Sequence, residues 1–169
     1  MKALVSAAAV ATLLALPASA QDRPATLGIG AAPMASVDPQ MMIYRVAGVT
    51  NSTHTTAAGI ATSFQCYNNS SVTENVRIRI LNSSGIVKAD LNFYIPPKKT
   101  YTASTHNTSV FYEEIILTSG TSISQGAAAI IATNRDIYCS AMIVDAAATI
   151  PNGIALHMVR FNPQPGSVE

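Results

Sequence analysis

Between Gly59 and Ile95 apolar and polar residues alternate with a period of two. In a first run Ile60, Thr62, Phe64 and Cys66 share one face, opposite Ala61, Ser63, Gln65 and Tyr67. In a second, Val76, Ile78 and Ile80 oppose Asn75, Arg77 and Arg79. In a third, Val87, Ala89, Leu91, Phe93 and Ile95 oppose Lys88, Asp90, Asn92 and Tyr94. Successive side chains of a strand point to opposite sides, so this pattern predicts half-buried antiparallel strands. A helix needs apolar residues at i, i+3 and i+4, which these runs lack.

Asn82-Ser83-Ser84-Gly85 reads as a four-residue turn joining the second and third runs. That loop sets Ile80 against Val87, Ile78 against Ala89 and Val76 against Leu91. On the outer face it sets Arg77 against Asp90, a favourable pair, and Arg79 against Lys88, an unfavourable one. Pro96-Pro97 ends the third run, because proline cannot donate to a ladder. Lys98 to Thr105 reads as another short strand, and Ser109 to Leu117 allows a helical turn or a strand. Gly126 to Thr133 and Ile137 to Val144 read as a hairpin around Asn134-Arg135-Asp136. Gly153 to Phe161 reads as the last strand. Short strands separated by Asn/Ser/Gly/Pro clusters predict an all-β, antiparallel sandwich of about seven to nine strands over residues 41–161.

The flanks read differently. Lys2 followed by the uncharged apolar run Ala3 to Leu16, then Pro17 and Ala18-Ser19-Ala20, has the pattern of a cleavable secretory signal over residues 1–20. Its apolar core is too short for a bilayer span, and no later segment is long enough. Residues 21–40 form a Pro/Ala/Gly-rich linker, and residues 162–169 a loose tail. Inside the linker Leu27, Ile29 and Ala31 alternate with small residues, so residues 26–31 have the pattern of a short strand.

The two cysteines, Cys66 and Cys139, lie in phase with the apolar residues of their own runs; Ile137, Cys139, Ala141 and Ile143 share a face. In an exported chain an even count favours a disulfide, and this phase fits a core bridge, including one between two sheets. Two buried thiols or half a metal site are the alternatives, although a metal site needs further ligands at short spacing.

The stretch from Phe64 to Ser104 resembles Ig-like modules of exported bacterial proteins. A strand ends in Asn68-Asn69, a long hairpin follows, and Ile95-Pro96-Pro97-Lys98-Lys99-Thr100 leads into the next strand. The resemblance implies an Ig-like β-sandwich with a cysteine on each of two strands far apart in sequence.

Charge narrows the function. The 169 residues carry a formal charge of +1, and only 11% are charged. Loss of Lys2 with the signal would balance bases against the nine acids. No basic stripe exists for nucleic acid, and 49% hydrophobic content argues against intrinsic disorder. The expected location is periplasmic or extracellular.

Candidate chemistry is sparse. His54 and His106 sit in polar loops and are the only candidates for a loop-built metal site; His157 falls in the last strand beside Met158. None has metal-ligand spacing, and they read as solvated loop histidines plus one strand histidine. Glu113-Glu114 is the only adjacent acid pair, and in a strand its members would point apart. No nucleophile elbow or phosphate-binding glycine loop is present, and no cofactor is expected. Among Tyr44, Tyr67, Tyr94, Tyr101 and Tyr112, Tyr67 and Tyr94 fall on outward phases and are the binding candidates, since exposed rings stack on sugars or anchor proteins. Asn51, Asn68, Asn69, Asn82 and Asn107 each begin an N-x-S/T triplet, a glycan acceptor in a eukaryotic host and otherwise a polar turn. The expectation is an exported, non-enzymatic module for binding or assembly, with a protein or glycan partner. A surface-filament subunit assembling by strand addition through residues 26–31 is the first rival. A small metal-binding protein or hydrolase with a loop-built site is the second.

Overall fold

The computed structural model describes residues 39, 41–52, 56–118 and 121–161. They form ten strands and no helix: β1 (Met41–Asn51), β2 (Ile60–Asn68), β3 (Glu74–Asn82), β4 (Val87–Ile95), β5 (Thr100–Ser104), β6 (Ile115–Ile116), β7 (Ile123–Ala132), β8 (Ile137–Asp145), β9 (Gly153–Ala155) and β10 (Met158–Arg160). Sheet 1 has the order β10-β1-β7-β3-β4 and sheet 2 the order β6-β5-β2-β8-β9. Every pairing is antiparallel except β5 with β6. The predicted all-β sandwich is therefore the fold, with two five-stranded sheets. The signal, residues 26–31 and the tail lie outside the described residues, as does His54.

One core fills the space between the sheets. Ile43, Val46, Val76, Ile78, Ile80, Phe93 and Ile130 of sheet 1 are buried in the same cluster as Phe64, Cys66, Ala103, Ile137 and Ala141 of sheet 2. A second, smaller cluster of Ala61, Val144 and Ala146 lies on the other side of sheet 2. Near it Ser109 N donates to Ala146 O at 2.8 Å, holding the segment that follows β5.

That second cluster covers part of the predicted outward phase of β2 and β8. Ala61 and Ser63, expected outside, are fully buried, and Ile60, expected inside, is exposed. Ser63 is tolerated there because its hydroxyl bonds that of Ser104 at 2.8 Å. Ile143 is only half-buried, whereas Val144 is buried. Leu91, also expected in the core, is half-buried because β4 is the last strand of its sheet.

The β3–β4 hairpin keeps its predicted faces but not its register. Ile80 faces Ala89, Ile78 faces Leu91 and Val76 faces Phe93. The turn is tighter than expected: Gly85 N donates to Asn82 O at 3.0 Å and Asn82 N to Ile86 O at 3.0 Å. Asn82 Oδ1 also accepts from Ser84 N and Ile86 N. Gly85 has a φ of 74°, the left-handed conformation that a three-residue hairpin loop requires. This tighter loop moves the pairing by one residue, and an irregularity between Ile80 and Leu81 moves it by another. A shift of two preserves both faces. It also removes the unfavourable Arg79–Lys88 pairing, because Arg79 now faces Asp90.

Two expected connections are different. β7 and β8 are not a hairpin: β7 lies between β1 and β3 in sheet 1, and β8 beside β2 in sheet 2. Alternation tells which face of a strand is buried, but not which sheet it joins. The Asn134-Arg135-Asp136 corner crosses between sheets, with Asn134 Oδ1 accepting from Asp136 N and Asn134 Nδ2 donating to Glu74 Oε1 at 3.1 Å each. The last strand is also divided. β9 pairs with β8, β10 pairs with β1, and the chain changes sheet at Leu156 and His157.

Candidate binding face

Cys66 and Cys139 occupy directly opposed positions on β2 and β8, and their sulfurs are bonded at 2.10 Å. The bridge thus lies within sheet 2, not between the sheets. Next along the ladder Tyr67 faces Tyr138. Adjacent residues of a strand point to opposite faces, so the bridge lies toward the core and both rings point outward. Tyr138 is 43% exposed and Tyr67 half-buried.

Along the ladder, the positions flanking the two rings on β5, β2 and β8 carry no charged side chain. Thr100 flanks Tyr67 on β5, and the neighbouring row reads Thr102, Gln65 and Ser140 across β5, β2 and β8. Hydroxyls, an amide and two aromatic rings therefore share one half of the outer face. The other half is closed by the small cluster around Ala61 and Val144.

Tyr138 is held from the side. The Arg160 guanidinium lies 4.6 Å from its ring centroid and 5.4 Å from that of Tyr44. Arg160 Nη1 donates to Tyr44 Oη at 3.2 Å, and Nη2 donates to Arg135 O at 2.7 Å. A cation against an aromatic face contributes about 0.5–2 kcal/mol, depending on desolvation. Here it fastens β10 of sheet 1 to β8 of sheet 2 and fixes the ring that faces solvent. At the end of β2, Lys98 Nζ donates to Asn69 O at 2.5 Å and Asn69 Oδ1 at 3.1 Å.

A cavity of about 230 Å³ opens beside this face, lined by Thr100, Tyr101, Thr102, Glu113, Glu114 and Ile115. Both acids line this pocket, and the chain around them is irregular and not a strand. Glu114 is fixed by Thr108, whose N–H and hydroxyl both donate to its carboxylate. Glu113 is exposed.

The other candidates are scattered. Tyr94 is 46% exposed on β4 of sheet 1, so it shares no face with Tyr67. His106, expected in solvent, is 1% exposed. Its Nδ1 stands 2.5 Å from Asn51 Oδ1 and its Nε2 3.0 Å from Ala58 O, which leaves neither nitrogen open to a metal. Asn51 is fixed in turn, its Nδ2 donating to Thr118 Oγ1 and Thr121 O. His157 lines a separate hollow on sheet 1 with Arg45, Ala47, Ala127, Ala129 and Val159. Among the described residues no group of three or more His, Cys, Asp or Glu is placed to hold a metal ion. Glu74 is buried, but Ser70, Thr133 and Asn134 satisfy its carboxylate.

Tyr138 is not among the tyrosines that the alternating pattern marks as binding candidates. The signal was present, since Tyr138 stands next to Cys139 as Tyr67 stands next to Cys66. Pairing the cysteines across neighbouring strands pairs the tyrosines as well. Compared with known proteins, the chain matches no family model, no curated protein and no solved structure.

Proposed function

We propose that this protein is an exported, non-enzymatic module of Ig-like type that binds a neutral glycan on the exposed half of the outer face of sheet 2. The observation that carries this reading is the directly opposed Tyr67–Tyr138 pair, whose ladder neighbours are hydroxyl and amide side chains and whose Tyr138 ring is braced by Arg160. Sugar rings present C–H faces that pack on aromatic rings and hydroxyls that exchange hydrogen bonds with Thr, Ser and Gln. The disulfide beneath the pair supports the reading twice. It pins the register of the two strands that carry the rings, so less freedom is lost on binding. It also fits an oxidising, exported location.

Sedimentation with insoluble polysaccharides tests this. The protein should pellet with a neutral polysaccharide such as cellulose or starch, and the bound fraction should be the same in 0.15 M and 1 M salt, since no charge pair is involved. Binding only to charged polymers, lost at high salt, would contradict it.

A further inference from the structure

We infer that the outer edge of β4 is an acceptor for a strand donated by residues 26–31 of a second copy of this chain. Among the described residues β4 is the last strand of sheet 1 on its side, and its nine residues make it much longer than the other terminal strands β6, β9 and β10. The direction of its backbone groups follows from β3. Thr133 N donates to Asn75 O, and Asn75 N donates to Thr133 Oγ1, so Asn75 turns its main chain toward β7. In an antiparallel ladder the direction alternates, so Glu74, Val76 and Ile78 turn theirs toward β4. Their partners Ile95, Phe93 and Leu91 bond back to β3. The N–H and C=O groups of Asp90, Asn92 and Tyr94 therefore face outward, an unpaired row suited to strand addition.

The side chains at this edge are also incompletely covered. Val87 is 49% exposed and Leu91 half-buried on the side of the strand that faces the core. Thr26 to Ala31 supplies what the edge lacks: Leu27, Ile29 and Ala31 at period two, with Gly28 and Gly30 between them. Paired with β4, the three apolar side chains extend the inner face past Leu91, and the glycines lie beside Asn92 and Tyr94. Residues 24–37 carry no charged side chain to oppose this burial.

We take the donor from a second copy: residues 26–31 precede β1, and β7 and β3 lie between β1 and β4, while a segment folding back onto its own β4 would leave the intact chain monomeric. Donor and acceptor are different surfaces, so the contact is head-to-tail and each copy can both give and receive a strand.

The test uses the exported chain, a variant lacking residues 26–31, and Asn92→Pro. Proline at 92 removes an outward N–H while leaving the β3–β4 bonds in place. Light scattering should show the mass of the intact chain rising with concentration, and each variant alone should stay monomeric with an unchanged circular dichroism spectrum. Mixed together, the two variants should form a one-to-one complex, because one retains the acceptor and the other the donor. A monomeric intact chain, oligomers that persist in Asn92→Pro, or variants that stay apart on mixing would overturn the inference. Glycan binding by any of these proteins is a separate readout, unaffected by the outcome.

Discussion

Cys66 and Cys139 face one another across β2 and β8 with their Cα atoms 4.1 Å apart, and the next pair on the same two strands is Tyr67 and Tyr138. One covalent bond thus sets the register of the proposed binding surface. The closed loop spans 73 residues, which in the chain-entropy account corresponds to about 4 kcal/mol of stabilisation. Non-reduced protein treated with an alkylating agent should show no modified cysteine by mass spectrometry. The Cys66→Ala, Cys139→Ala double variant should lose about 2–5 kcal/mol in urea unfolding.

Core truncations should separate into two groups. Phe64→Ala and Ile78→Ala remove fully buried side chains and should cost about 3–5 and 2–5 kcal/mol. Leu91→Ala should cost less than Ile78→Ala, since its edge position leaves it half-buried. Asn92→Ala, on the solvent face, should change stability by under about 1 kcal/mol. Denaturant midpoints give the ranking directly.

Much of this ranking was legible in the sequence, and its failures have definite causes. Period-two alternation located β2, β3, β4, β7 and β8, and predicted the outward phase of Tyr67 and Tyr94. It misplaced Ala61 and Ser63 because a strand covered on its outer side by a later segment buries both phases. It joined β7 to β8 because alternation carries no information on which sheet a strand enters. The β3–β4 register depended on Gly85 adopting the left-handed conformation, which shortens the loop by one residue, and on an irregularity that no side chain announces. The burial of His106 followed from the fold of distant loops around Asn51 and Ala58. No local pattern reports such contacts.

Gly126 illustrates a constraint that composition conceals. A Cβ at this position would stand 2.8 Å from Leu81 O and 3.0 Å from Val49 O, both backbone atoms of flanking strands. Backbone in two neighbours must move to admit it. Gly126→Ala should therefore destabilise by about 1–3 kcal/mol, the range for overpacking, measured as a lowered urea midpoint.

Asp90 gives the outer face of sheet 1 a pH dependence. Hydrogen bonds from Arg77 hold its carboxyl below the usual carboxylate range, with Arg79 adding to the effect and partial burial opposing it. Its contacts are 2.5 Å to Arg77 Nε and 2.8 Å to Arg79 Nη2. A carboxyl whose folded pKa is depressed stabilises the fold above its unfolded pKa, and that contribution fades as pH falls toward the folded value. The site is partly exposed, so the contribution should be about 0.2–1 kcal/mol. Asp90→Asn should unfold earlier than the parent in urea at pH 7, and the difference should vanish as the pH falls from about 4 toward 2.

The most direct test of the binding face compares the parent protein, Tyr138→Ala and Tyr94→Ala by native electrophoresis through gels containing a soluble neutral polysaccharide. Both tyrosines are exposed, but only Tyr138 belongs to the paired surface on sheet 2. The parent and Tyr94→Ala should be retarded equally, while Tyr138→Ala runs as it does without polysaccharide. Equal retardation of all three, loss in Tyr94→Ala alone, or no retardation of the parent by any neutral polysaccharide would contradict the account.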